Sequence, residues 1–163
     1  MSNTKKIVLV GHFNVGKSSM IRRFVQNVFS DDYQVTIGVH ILKKTIVVNN
    51  QEITLVIWDI EGKEDIQTVR ESYLIGTSGF IYVIDPSRIH TYQNLNEELK
   101  FLKKNHSKAA LLTVANKSDL IDIKEFDAKS KEHNFIIDFY SSAKTGDNVE
   151  NIFEALSQKM IEK

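Results

Sequence analysis

The chain has 163 residues, and its 21 Lys and Arg are balanced by 21 Asp and Glu. It contains one Pro and no Cys, and 42% of its residues are apolar. This excludes a disordered chain, a disulfide framework, Cys-ligated zinc or iron–sulfur sites and a cysteine nucleophile; the zero net charge lacks the basic footprint of a nucleic-acid binder. The length fits one domain, residues 1–163. The apolar run near the N-terminus, Ile7–Val10, is too short for a signal segment, and nothing approaches a membrane span. A monomeric, cytoplasmic protein is expected.

In chain order, Lys5–Val10 is a short β-branched run ending at Gly11, which reads as a buried strand. Ser18–Gln26 carries Met20, Ile21, Phe24 and Val25 as a helical stripe. Val39–Val48 and Glu52–Asp59 read as strands joined by a hairpin turn at Asn49-Asn50. Phe80–Ile84 is a further apolar run, ending at Asp85-Pro86. Tyr92–Lys104 has Leu95, Leu99 and Leu102 at helical spacing. Ala110–Ala115 and Phe135–Tyr140 read as strands, and Val149, Ile152, Phe153, Leu156 and Met160 mark a closing amphipathic helix. Alternation of strands and helices predicts an α/β fold with a mostly parallel sheet and one antiparallel edge strand from the hairpin. Ligands of such sheets sit beyond the C-terminal strand ends, so the loops after each apolar run are where function is sought.

The first of those loops, Gly11-His-Phe-Asn-Val-Gly16-Lys17-Ser18, matches G-x-x-x-x-G-K-[ST] between a strand and a helix. Backbone N–H groups of such a loop cradle phosphate oxygens at the positive end of the helix. Lys17 supplies charge to the β/γ-phosphates and the Ser18 hydroxyl is a Mg²⁺ ligand. Asn116-Lys117-Ser118-Asp119 follows the fifth apolar run. A carboxylate there accepts from N1–H and the exocyclic amine of guanine, a donor pair that adenine lacks. Asp59-Ile60-Glu61-Gly62 ends the third run; Asp59 would hold Mg²⁺ through water and the Gly62 N–H would touch a γ-phosphate. Each short motif is weak alone; their order after the P-loop gives them weight. An ATP-using P-loop enzyme is disfavoured by Asn116–Asp119.

With these residues, the sequence resembles the Ras superfamily of small GTP-binding proteins over residues 5–161, and its Rab branch most of all. Thr36-Ile-Gly-Val39 resembles the Rab switch I motif, and Val56-Ile-Trp-Asp59 the approach to switch II. Ser141-Ser-Ala-Lys-Thr-Gly146 is similar to the family's last loop. The resemblance implies a P-loop G domain with a six-stranded sheet and about five helices on both faces. It implies GTP or GDP with Mg²⁺, a phosphate cradle at Phe13, Asn14, Val15, Gly16, Lys17, Ser18 and Ser19, and Thr36 as Mg²⁺ ligand and γ-phosphate sensor. It implies Phe29 edge-on to guanine, and Asn116, Lys117, Asp119, Ser142, Ala143 and Lys144 around the base. Phe29 as a plain core aromatic is the alternative, and Trp58 is expected to serve packing or a partner surface. Effectors would meet the switch regions 30–41 and 59–75, and an exchange factor is implied.

Three residues depart from the family pattern where the γ-phosphate would lie. Lys63 stands where the family has the Gln that orients the attacking water, and lysine has no acceptor. Phe13 replaces a small P-loop residue and would crowd an incoming arginine finger. Glu61 replaces Ala and places a carboxylate near the γ-phosphate. Lys17, Thr36 and Gly62 thus remain as catalytic positions, with Glu61 and Lys63 atypical, and slow hydrolysis is expected. Glu61 positioning the water is the competing account. The alternative to a switch is a scaffold or decoy held in one nucleotide state. No Cys is present to carry the prenyl anchor of Rab relatives, so membrane association is expected only through a partner or a lipidated tail beyond this sequence.

Overall fold

A computed structural model describes residues 3–32, 35–63 and 65–162. Strand β1 (Thr4–Gly11) turns Ile7 and Leu9 to one side and Val8 and Val10 to the other, and all four are buried. A strand covered on both faces reads as a continuous apolar run, which is why its sequence does not alternate. β2 (Val39–Val48) and β3 (Gln51–Ile60) pair antiparallel from Val39↔Ile60 to Val48↔Gln51. Their turn places Asn49 and Asn50 at φ 52° and 61°, the left-handed pair that a two-residue hairpin requires. β4 (Gly79–Ile84), β5 (Ala110–Ala115) and β6 (Phe139–Tyr140) complete a six-stranded sheet of order β2-β3-β1-β4-β5-β6, with β2 the antiparallel edge.

Helices α1 (Lys17–Gln26) and α5 (Val149–Glu162) cover one face, where Phe24 and Phe153 stack with ring centroids 4.0 Å apart. On the other face, α2 (Glu71–Leu74), α3 (Leu95–Asn105) and α4 (Ile123–Glu132) pack Leu74, Leu95, Leu99, Leu102 and Phe126 against Phe80, Tyr82 and Ile84. No helix among the described residues is long and apolar enough to cross a membrane.

Three elements differ from the sequence reading. Helix α3 begins at Leu95 and not at Tyr92, because the preceding residues form a separate 3-10 turn, Ile89–Thr91. Buried Thr91 holds that turn: its hydroxyl accepts from Asp85 N–H (3.0 Å) and lies 2.9 Å from the Asp85 carbonyl. β6 is two residues, not six, because Phe135 N–H closes the end of α4 on the Ser130 carbonyl (2.8 Å) and the Asp138 carboxylate takes the Thr113 N–H (2.8 Å) from the ladder. α4 has too few apolar residues to show a stripe; its start is set by Asp122, whose side chain accepts from Glu125 N–H at 3.1 Å.

A buried carboxylate joins α3 to the segment after β3. Glu98 accepts from Ile66 N–H at 2.7 Å and is hydrogen-bonded to Tyr82. Burial raises its pKa to about 7, against the help of the Ile66 bond. The folded chain therefore holds a proton that the unfolded chain releases, so stability is expected to fall as pH rises from about 4.5 to about 7. Glu98→Gln keeps an acceptor for Ile66 and removes the charge. Urea unfolding at pH 5 and 7.5, at fixed nucleotide, is expected to show a pH-dependent loss smaller in the variant by on the order of 1–3 kcal/mol. Equal losses in both proteins would exclude Glu98 as the source.

Candidate functional site: a cavity at the strand ends

A cavity of about 290 Å³ opens at the C-terminal ends of β1, β3 and β5. Its walls include Phe13, Asn14, Gly16, Lys17, Ser18 and Ser19 from the P-loop, and Phe29, Thr36 and Gly62 from the loops flanking β2 and β3. Asn116, Lys117, Asp119, Ala143 and Lys144 close the far end. These residues lie more than a hundred positions apart in the chain and meet because parallel strands deliver their following loops to one edge.

The P-loop is held by its carbonyls. Lys17 Nζ donates to Gly11 O (3.1 Å) and His12 O (2.8 Å), Lys117 Nζ to Asn14 O (2.7 Å), and Asn116 Nδ2 to Val15 O (3.0 Å). The amides of Asn14, Val15 and Gly16 have no protein acceptor among the described residues. Gly16, at φ 100°, lies against the Asn116 side chain so closely that a Cβ would collide with it. Val15 itself is in the core and contributes only backbone.

Lys17 is buried, and desolvation lowers its pKa to about 8 although Asp59 opposes the shift. Asp59 is pushed the other way: burial raises its pKa, while Ser18, Lys17, His40 and Arg22 pull it down. Its Oδ2 accepts from Ser18 Oγ, which lies 2.8 Å from Thr36 Oγ1. The second oxygen, Oδ1, is buried without a hydrogen-bond partner. Two hydroxyls and a carboxylate with an unpartnered oxygen form an all-oxygen donor set suited to Mg²⁺, which takes few protein ligands and completes its shell with water and phosphate.

At the far end, Asp119 Oδ1 accepts from Ser142 Oγ (2.8 Å), which fixes the carboxylate. Ser142 thus orients Asp119 and does not itself line the cavity. Asn116 is spent on architecture: its Oδ1 accepts from Ser141 Oγ (3.1 Å) and Ala143 N–H (3.2 Å), so one amide hydrogen is left for a ligand. The loop at Ala143-Lys144 is anchored by Arg23, which donates to both carbonyls at 2.8 and 2.6 Å. Phe29 lines the cavity and also packs on the core.

Glu61 and Lys63 form an ion pair at 3.2 Å. Gly62 between them lies against the Phe13 backbone, where any Cβ would collide. Phe13 is half exposed and lines the cavity. Sequence reasoning missed Arg22 and Leu120, which also line it; Leu120 directly follows Asp119, and Arg22 lies one helical turn beyond Ser18. Tyr33, Gln34 and Glu64, parts of the expected switch regions, lie outside the described residues. Beside the cavity, Val35, Ile37 and Ile41 are exposed, and Trp58 and Tyr73 rings lie 6.3 Å apart.

The Ras family model matches residues 6–162. The chain is 35% identical to Ras-related protein SEC4 of Saccharomyces cerevisiae, an alignment covering 97% of this chain and 75% of the relative. It is 34% identical to Ras-related protein Rab-30 of Homo sapiens, covering 96% and 79%, and 34% identical to Ras-related protein Rab-1 of Theileria annulata, covering 97% and 74%. With a P-loop, an Asn116–Asp119 loop and an all-oxygen donor set at one sheet edge, and a match along nearly its whole length, the chain belongs to the Ras family of small GTPases and is Rab-like.

Proposed function

We propose that this chain works as one G domain that binds GTP and GDP with Mg²⁺, presents residues 30–41 and 59–75 to effector proteins, accepts an exchange factor, and hydrolyses GTP slowly. The observation that carries the reading is the pairing of two ends in one cavity. Ser18, Thr36 and the orphaned oxygen of Asp59 meet at the phosphate end. Asp119, fixed by Ser142, stands at the base end. The amides of Asn14–Gly16 and the Lys17 ammonium bind the phosphates, and Mg²⁺ supplies neutralisation of their charge. Asp119 selects guanine by accepting two donors that adenine cannot offer.

Retention of the γ-phosphate is coupled to the switch loops by short links. Thr36 meets Ser18, Gly62 packs on Phe13, and Glu61 N–H donates to the Gly38 carbonyl at 2.9 Å. A γ-phosphate that engages Thr36 and the Gly62 amide would order both loops together, the basis of an effector surface. Slow turnover follows from Lys63, whose ammonium is tied to Glu61 and cannot accept a hydrogen from water. That ion pair and the half-exposed Phe13 also favour the scaffold reading, in which nucleotide is held without a timer. Analysis of nucleotide bound to freshly purified protein, with competition between GDP and ADP, tests the binding reading. GDP or GTP with exchange is expected. No guanine nucleotide, or equal competition by ADP, would overturn it, and non-exchanging nucleotide would favour the scaffold.

Two quantitative outcomes are expected. In single-turnover hydrolysis, Lys63→Gln restores an acceptor and is expected to raise the rate by about tenfold or more over the natural chain. An unchanged rate would place the block elsewhere, at Phe13 or Glu61. Lys17 with a pKa of about 8 must be charged to hold phosphate, so affinity is expected to weaken as pH rises through about 8. GDP titration calorimetry at pH 8, in buffers of differing ionisation enthalpy, is expected to show uptake of roughly half a proton. Proton release, or no exchange, would contradict that role for Lys17.

A further inference from the structure

Asp85 directly follows β4 at the same sheet edge and is almost wholly buried. Its Oδ1 accepts from Ser87 N–H (2.9 Å) and Ser87 Oγ (2.6 Å), and its Oδ2 faces Lys117 Nζ at 3.1 Å and Arg88 Nη1 at 3.6 Å. Arg88 then reaches the P-loop from outside. Nη1 donates to Asn14 O at 2.9 Å and Nη2 to Phe13 O at 3.2 Å. Nη2 also lies 3.1 Å from His90 Nε2; the guanidinium has no acceptor, so that nitrogen of His90 is the acceptor. Asn14, at φ 61°, is the strained point of the loop, and its carbonyl receives two cationic donors, from Arg88 and Lys117.

The nucleotide reading gives Arg88 no role, and no sequence motif singled it out. We infer that Arg88, braced by Asp85, is a positioning residue that sets how long the nucleotide stays bound, by pinning the Phe13 and Asn14 carbonyls outward so that the loop's amides stay aimed into the cavity. The inference rests on the P-loop holding a nucleotide. The physical ground is that a planar fork grips two successive carbonyls at once, which a single-headed lysine does not do. Left-handed Asn14 relaxes when its carbonyl loses a partner, and an amide that swings away no longer meets phosphate. Arg88 does not approach the reacting groups through these contacts, so nucleotide release and not hydrolysis is what it governs.

The experiment follows release of a fluorescent GDP analogue, in Mg²⁺, from the natural chain, Arg88→Ala, Arg88→Lys and Asp85→Asn. Hydrogen exchange of the GDP-bound proteins is read in parallel. Release is expected to be about tenfold faster in Arg88→Ala, with Arg88→Lys and Asp85→Asn between the two. Amides of residues 13–16 are expected to lose protection while those of β4 and β5 keep it. Release from Arg88→Ala at the natural rate would overturn the inference and leave nucleotide binding intact. Faster release with protection lost across β4 as well would assign the effect to general loosening and also overturn it. Failure of the natural chain to bind the analogue would instead sink the nucleotide reading on which it rests.

Discussion

The structure turns on one constraint: the backbone from Gly11 to Gly16 must keep every carbonyl facing protein so that its amides are available to a ligand. Each carbonyl has a donor from outside the loop. Lys17 and the Lys63 N–H serve Gly11, Lys17 also serves His12, Arg88 serves Phe13, Arg88 and Lys117 serve Asn14, Asn116 serves Val15, and Met20 N–H serves Gly16. Four of these six donor residues act through their side chains, and those four arrive from α1 and from the loops after β4 and β5. A peptide group is nearly rigid, so fixing its carbonyl fixes the opposed N–H. The remainder of the fold can be read as the scaffold that brings those donors to the same edge.

The same economy explains how the two switch segments sense one another without touching extensively. Lys63 N–H donates to the Gly11 carbonyl at 3.3 Å, Glu61 N–H to Gly38, and Gly62 seats on Phe13. Residues 61–63 therefore touch both the P-loop and the end of switch I within three positions. Further along, Ile66 is tied to α3 through Glu98, which also holds Tyr82 of β4. The segment after β3 is thereby tied to the sheet as well as to the P-loop, through a buried carboxylate for which losing a partner would be costly.

Much of this was legible in the sequence, and the exceptions have physical reasons. Continuous apolar runs marked β1, β4 and β5 because both sheet faces are covered. Asn49-Asn50 marked the hairpin because only a few residues accept two left-handed positions in succession. The P-loop, Asn116–Asp119 and Asp59–Gly62 appeared as motifs because their spacing is fixed by local backbone. β6 was overread, since Phe135 and Ile137 are apolar for packing on the helical layer and not for a ladder. α4 was missed, since a helix with Phe126 as its main buried residue shows no periodic stripe. Arg88, Arg23 and Ser142 stayed invisible as contributors to loop geometry, because a side chain that bonds a distant carbonyl carries no local pattern. Asn116 was read as a base ligand from its motif; its buried side chain is largely committed to joining two loops.

The electrostatics of the cavity show a site arranged at a cost to stability. Lys17 and Asp59 are both buried, and desolvation drives each toward its neutral form, lowering one pKa and raising the other. Their mutual attraction only partly offsets this, and Asp59 Oδ1 keeps no partner. A hydrophobic pair in those positions would cost less. An anion against Lys17 and a cation against Asp59 relieve both penalties at once. On the proposed reading, ligand binding would be favoured by the release of a cost already present in the fold, and the folded state would gain stability with the logarithm of the free ligand concentration above its dissociation constant. The departures at Phe13, Glu61 and Lys63 leave that arrangement untouched, because no side chain of the three donates to a P-loop carbonyl or adds an oxygen to the Ser18–Thr36–Asp59 set. On the proposed reading, affinity and turnover would be carried by different side chains, and a chain could lose the residues that time hydrolysis while keeping those that hold the nucleotide.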